Sequence, residues 1–242
     1  SEAAFVAKMN ATATQLGMSH THYADASGLD PASASTAADQ LVLARKAIAL
    51  PVFASVVAEP SVSLPVAGTV ANYNTLVGHD GFSGIKTGST NAAGGCLLFS
   101  VTRPVAGTKI TVVGDVLGQR GGPFIPLAIE RARSMADAAF AAFGPRTVLR
   151  AGTTVLDVTR AGRHTVAVTA SDLTTIDPAG TPITLRLGSP DPGAAGRVAT
   201  IAMRAPGPAP ASGDSAPGST TAVRLARPMP RPSFGWRVSH FF

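Results

Sequence analysis

The segment GFSGIKTGSTNAAGGCLLFS, residues 81–100, sets Lys86 between two glycines in what reads as a β-strand and follows it with a small, hydroxyl-rich turn. The chain holds only four lysines against sixteen arginines, so an ammonium in this small-residue setting asks for a partner. Gly88 removes the Cβ that would keep another backbone away, and Ser89 follows with its N–H. Such a strand can take an extended peptide edge to edge while Lys86 and Thr87 address a carboxylate. A surface lysine beside a glycine bulge explains the spacing equally well, since a Lys-(Ser/Thr)-Gly triplet arises by chance in roughly one chain of this length in ten.

The elements that must position this strand are readable from hydrophobic period and punctuation. Ser1 and Glu2 resemble a helix start, and Phe5, Val6, Met9, Ala13 and Leu16 recur at helical spacing up to Gly17. Thr36 and Asp39 form a capping-box-like start to a second helix that should stop near Pro51. SVSLPVAGTV, GFSGIKTGS, GGCLLFSVTR and KITVVGDVLG then read as extended segments of an antiparallel meander. From Pro123 to Phe143 the apolar positions, Met135 among them, keep a helical period, with Gly144-Pro145 as stop and breaker. Helices on an antiparallel sheet give an α+β domain over residues 1–144. Residues 145–242 change to short alternating runs, TVLDVT, HTVAVTA, PITLRL and RVATIAM, which predict a small all-β module. Within it residues 205–220 are too poor in apolar side chains to pack and predict a disordered loop.

Composition narrows the classes. The chain has 242 residues, 45% of them apolar, and a net charge of +6. Residues 1–144 carry nine basic and nine acidic side chains, so the whole excess belongs to the second module, with eleven basic and five acidic. The longest apolar stretch, LVLARKAIALPVFASVVA, is broken by Arg45 and Lys46 and is a poor membrane span. The lone Cys96 cannot form an intramolecular disulfide and is expected to be a buried, inert thiol. The first residues, SEAAFVAKMN, show neither an initiator Met nor a secretory leader, so the sequence reads as a fragment entering mid-fold.

Three blocks in order, SEAAFVAKMNATATQLGMSHTHYADASGLD, STAADQLVLARKAIAL and GIKTGSTNAAGGCLLFS, resemble the serine-type D-alanyl-D-alanine carboxypeptidases, the low-molecular-mass penicillin-binding proteins. The resemblance runs from Ser1 to about Gly144. It implies part of a β-lactamase/transpeptidase-like domain followed by a β-rich module. The implied activity is removal of the terminal D-alanine from peptidoglycan stem peptides in the cell envelope, through an acyl-enzyme that β-lactams also form. Lys86, Thr87 and Gly88 match the family's Lys-Thr-Gly motif, in which lysine supplies positive charge and threonine helps hold the substrate carboxylate. Ser89 falls where the family uses a backbone N–H as an oxyanion donor, and preorganised donors of this kind are a large catalytic contribution. Lys86 and Ser89 are thus the catalytic expectations, Thr87 and Gly88 the substrate-binding ones.

The family also needs a nucleophile in Ser-x-x-Lys and a second wall in Ser-x-Asn, both expected upstream of Ser1. Two literal matches occur here, Ser83-Gly84-Ile85-Lys86 and Ser89-Thr90-Asn91. The first is set aside because Ser and Lys three apart meet on a helix but point to opposite faces of a strand. The second begins one residue after the strand motif it would have to face, so it reads as a turn. The fragment itself is therefore expected to be inactive. A β-lactamase of the same superfold and a non-catalytic wall-binding protein stay open as alternatives.

Other chemistry-bearing residues are weaker. His20 and His22 have the types of metal ligands but lack a Cys or third His, so no metal and no cofactor is expected. His79-Asp80 reads as a turn, and Asn10-Ala11-Thr12 as a glycosylation pattern inside a helix. The C-terminal stretch combines Arg224, Arg227, Arg231 and Arg237 with Phe234, Trp236, Phe241 and Phe242. It is expected to contact an anionic membrane surface or wall polymer; no nucleic acid is expected among the partners.

Overall fold

The structure, a computed structural model, describes residues 1–160, 162–188, 197–204 and 220–227. It divides into two compact units, Ser1–Ala141 and Ala142–Phe242.

In the first unit helix α1 (Glu2–Gln15) begins at Ser1, whose Oγ accepts from the Ala4 N–H at 3.4 Å. Helix α2 (Ala37–Ile48) begins at Thr36, whose Oγ1 accepts from the Asp39 N–H at 3.2 Å. Each side chain satisfies an otherwise orphaned donor of the first turn. Pro51 does more than end α2: it opens a short helix, α3 (Pro51–Val57), which the sequence reading had not separated. Proline suits that place because the first-turn N–H has no partner anyway and its φ is already helical. The two helices are bent by 108° at the break, and no single helix among the described residues is long and apolar enough to cross a membrane.

A small hairpin, β1 (Ser61–Leu64) with β2 (Gly68–Ala71), precedes the main sheet. That sheet holds three of the four segments of the expected meander, β3 (Phe82–Thr90), β4 (Gly94–Val105) and β5 (Thr108–Gln119), antiparallel in the order β3-β4-β5, whereas SVSLPVAGTV folds back on itself in the separate hairpin. Helix α4 (Phe124–Ala142) carries Ala128, Ala132 and Ala136 fully buried at one-turn spacing. They pack with Leu97, Phe99 and Val101, alternate residues of β4, so α4 covers one face of the sheet. Small residues on the helix let it approach closely. Gly114 lies under the Phe99 ring, where an added Cβ would come within 2.2 Å of Cζ. Arg103 of β4 ties to Asp137 of α4 at 2.7 Å and lies over the Phe140 ring at 5.1 Å.

Two expected faces differ. Phe5 of α1 is 55% exposed and Met135 of α4 is 40% exposed, although both fall on their helix's apolar period. Period places a residue on a stripe; burial needs an element packed over it. Helix α4 ends at Ala142, and Gly144 and Pro145 do not break the chain. They lie inside strand β6 (Phe143–Leu149), paired with β9 (Leu173–Pro178) in the register Gly144↔Asp177 and Pro145↔Ile176. The units accordingly divide three residues before the boundary read from Gly144-Pro145. Proline fits a strand at the edge of a two-stranded sheet, where a missing N–H costs least.

The second unit is all-β. Besides β6 and β9 it contains β7 (Thr154–Arg160), β8 (Arg163–Thr169), β10 (Thr184–Leu187), β11 (Arg197–Arg204) and β12 (Thr220–Leu225). These five form one sheet in the order β10-β11-β12-β8-β7. Ala167, Ala199, Ile201 and Val223 of the larger sheet share a core with Leu149 and Leu173 of the smaller one. Residues 205–219 of the expected loop lie outside the described residues, and Thr220 already belongs to β12. The C-terminal tail beyond Arg227 also lies outside them.

Candidate functional site

Lys86, Thr87, Gly88 and Ser89 lie together on β3, paired with Leu98, Leu97, Cys96 and Gly95 of β4. Strand β3 is an edge of its three-stranded sheet, so its outer rim of backbone groups faces away from β4. Upstream, the strand is held by Asn74, which is 3% exposed: its Nδ2 donates to the Gly84 carbonyl at 3.1 Å and its Oδ1 accepts from the Leu76 N–H at 3.2 Å. Downstream, Gly95 admits the start of α4, since a Cβ there would stand 2.0 Å from the Phe124 carbonyl oxygen. The motif is thus held upstream by the Asn74 side chain and downstream by the close backbone approach that Gly95 permits.

The register sets which side chains share a face. Lys86 is opposite Leu98, and Leu98 is opposite Asp115 of β5. All three look away from the α4 core, into a cleft of about 520 Å³. Its other lining residues include Thr87, Gly88, Cys96 and Leu117 from the sheet, and Ser33, Ser35 and Gln40 from α2 and the loop before it. Lys86 is exposed; its Nζ donates to the Thr87 carbonyl and, among the described residues, makes no ion pair. An unpaired ammonium beside a strand edge can receive a carboxylate.

Asp115, which the sequence reading missed, is the second charged group of the cleft. Burial pushes its carboxyl up to about 6, and its Oδ2 is buried without a hydrogen-bond partner. The signal was present: it is the one acidic residue in the apolar strand KITVVGDVLG, in a polar position that only the pairing with Leu98 connects to Lys86.

The two decoy matches resolve differently. Ser83 and Lys86 do lie on a strand rather than a helix, but the strict alternation that would turn them to opposite faces does not hold between them. Pairing passes from Phe82↔Val101 to Ile85↔Phe99, three residues against two, and this bulge interrupts the strict alternation. What separates them is that no helical turn brings them together. Ser89 and Thr90 end β3, and only Asn91 begins the turn, which Thr90 Oγ1 closes by accepting from the Ala93 N–H at 2.9 Å. Cys96 is not the fully buried thiol expected: it is half-buried and lines the cleft opposite Gly88, where the absent side chain leaves it uncovered.

The remaining candidates serve the frame. The Asp39 carboxylate accepts from the His20 N–H at 2.9 Å and from Thr21 Oγ1 at 2.7 Å, pinning that loop to α2. His22 bridges its backbone to Ala34. Asn10 donates to the Tyr23 carbonyl at 2.7 Å and accepts from the Tyr23 N–H at 2.9 Å, joining α1 to the same loop. Asp25 accepts from Ser27 Oγ and from the N–H groups of Leu29 and Gly28, and these donors hold its carboxyl well below the usual carboxylate range. Asp80 pairs with Arg133 of α4, and its carbonyl accepts from Arg103 Nε at 3.0 Å, so His79-Asp80 is a turn tied to α4.

Residues 1–118 match the family described as D-alanyl-D-alanine carboxypeptidase. The chain is 40% identical over 127 residues to D-alanyl-D-alanine carboxypeptidase DacB2 of Mycobacterium tuberculosis, covering 49% of this chain and 43% of that protein. A mutant of the Streptomyces K15 DD-transpeptidase superposes with a TM-score of 0.50 at 33% identity, over 57% of this chain and 54% of the other. The D-alanyl-D-alanine carboxypeptidase DacD of Francisella tularensis shares the fold more widely, with a TM-score of 0.56 at 20% identity over 92% of this chain and 67% of that one. The chain spans less than half the length of the curated relatives it matches. With its three blocks in order, its Lys-Thr-Gly on an edge strand and its α+β fold with a β-rich second unit, the chain is similar, over residues 1–118, to the D-alanyl-D-alanine carboxypeptidase family.

Proposed function

We propose that this chain supplies one wall of the active-site cleft of a serine-type D-alanyl-D-alanine carboxypeptidase acting on peptidoglycan stem peptides in the cell envelope and acylated by β-lactams. The observation that carries the reading is the placement of Lys86, Thr87 and Gly88 on edge strand β3, lining a cleft, at the family's Lys-Thr-Gly position. Each residue has a separable task. An extended peptide end lies along β3, with Gly88 leaving room for its backbone. Lys86 offers its ammonium, and Thr87 its hydroxyl, to the terminal carboxylate. The Ser89 N–H stabilises the oxyanion that forms when the scissile carbonyl is attacked, a contribution typically of about 10²–10³ in rate for one donor.

The attacking serine and its base are expected from the part of the protein that the longer relatives contain and this chain does not. The test is the full-length protein with a fluorescent penicillin and with a peptide ending in D-alanyl-D-alanine. Covalent labelling together with release of D-alanine supports the reading; absence of both removes it. Rapid turnover of the acyl-enzyme would instead identify a β-lactamase. The cationic, aromatic C-terminal tail gives a further contact with anionic lipid or wall polymer, and its basic excess belongs to the second module.

A further inference from the structure

We propose that Asp115 is a charge determinant of the Lys86 cleft, such that an anionic ligand held by Lys86 and a proton on the Asp115 carboxyl are taken up together. The inference rests on the carboxylate-binding reading of the cleft. Lys86 and Asp115 are joined through Leu98 by successive register pairs, which places their Cα atoms two strand spacings apart, about 10 Å. Both line the same cleft, and Asp115 Oδ2 is buried in it with no donor. A buried carboxylate oxygen without a donor makes the group costly to ionise, and the one backbone donor that the carboxyl does have, the Val116 N–H, only partly offsets that cost.

No described neighbour neutralises it. Of the other residues lining the cleft, the titratable ones are Lys86 on β3 and Cys96 on β4. From α2 and the loop before it come only the neutral Ser33, Ala34, Ser35 and Gln40. Asp39 of α2 is engaged by His20 and Thr21, while Arg45 and Lys46 are exposed. A ligand carboxylate at Lys86 therefore brings a second negative charge into the same cleft, at a separation on the order of 10 Å from Asp115. At an effective dielectric constant of about 20, that repulsion corresponds to on the order of tenfold in affinity.

The sign follows. A peptide's terminal carboxyl, with an ordinary pKa near 3.5, stays ionised above about pH 5. Asp115, held up at about 6 by burial, is protonated at pH 5 and neutral towards that ligand. As the pH rises through about 6 it ionises, opposes the ligand, and affinity falls. Asp115 acts through the field it places on the ligand and is a positioning residue in that sense.

The test measures the second-order rate constant for acylation of the full-length protein by benzylpenicillin from pH 5 to 7.5, for wild type and Asp115→Asn. The ratio of variant to wild type is expected near one at pH 5 and several-fold above one at pH 7.5, while groups common to both cancel. Independently of the variant's folding, ¹³C NMR of the wild type should show the Asp115 carboxyl midpoint moving up by roughly half a pH unit or more on acylation. A ratio flat with pH, or an unmoved midpoint, overturns the role of Asp115 while leaving the carboxypeptidase reading in place. No acylation of the wild type at any pH overturns both.

Discussion

Lys86 and Asp115 stand at the two ends of one cross-strand row, on β3 and β5, with Leu98 of β4 between them. The row gives the cleft a cation at its open edge and a carboxyl with one buried oxygen that lacks a donor. That asymmetry follows from register alone, since the same sheet turns Leu97, Phe99 and Val101 into the α4 core from its other face.

In the full-length protein Lys86→Ala should cut both peptide hydrolysis and penicillin acylation, by about 10²–10³, because both ligands place a carboxylate where the ammonium sits. Lys86→Arg should restore only part of the rate, since a planar guanidinium does not replace a compact ammonium. Steady-state hydrolysis and the acylation rate constant check this; unchanged acylation in Lys86→Ala removes the lysine from the mechanism.

Residues 1–242 alone should not be labelled covalently by a fluorescent penicillin. Acyl transfer needs a nucleophile within reach of its base, and Ser83 and Lys86 share a bulged strand rather than a helical turn. A labelled band on a denaturing gel that disappears in Ser83→Ala or Ser89→Ala would show that this chain is a self-sufficient enzyme.

Gly95→Ala should destabilise the first unit by about 2–4 kcal/mol, since the new Cβ meets the backbone carbonyl of Phe124 and the start of α4 must shift. Gly95 is opposite Ser89, so the loss should extend to the site. Chemical denaturation gives the first effect and penicillin acylation the second. Gly144→Ala, where an added Cβ meets nothing within 4 Å, serves as the tolerant comparison.

Asp115→Asn should raise the stability of residues 1–242 at pH 7 relative to pH 4. The carboxyl is 3.8 in its ordinary state and about 6 when folded, so the folded state holds the proton more tightly. Its contribution is full below about pH 4 and is lost as the pH rises through 6. The unscreened shift corresponds to about 3 kcal/mol. Partial exposure brings the expected gain nearer to about 1 kcal/mol. Urea denaturation at the two pH values reads it, and equal wild-type and variant changes would contradict it.

The full-length protein should co-sediment with vesicles containing anionic phospholipid at low salt and be released at high salt, through the arginines and aromatic residues of the C-terminal stretch. No sedimentation at low salt eliminates the contact. Sedimentation indifferent to salt eliminates its electrostatic part.

By itself the sequence determined whatever depends on neighbours along the chain. Ser1 and Thr36 cap their helices because a capping side chain reaches a donor three residues on, and the β3-β4-β5 meander follows from alternation between short turns. The Lys-Thr-Gly strand was legible for the same reason. Tertiary structure alone decided what depends on partners distant in sequence. Gly144-Pro145 joined a strand because β9, some thirty residues on, supplies its pairing, overriding two strong local breakers. Phe5 stayed exposed because periodicity assigns a stripe without supplying its cover. The bulge after Phe82 broke the alternation assumed for Ser83: a glycine such as Gly84 marks where a bulge can fall, but the mismatch itself is set by the register of two strands. Asp115 became part of the site for that reason too: it lies twenty-nine residues from Lys86 along the chain, and only the register of two strand pairs brings their side chains to one face.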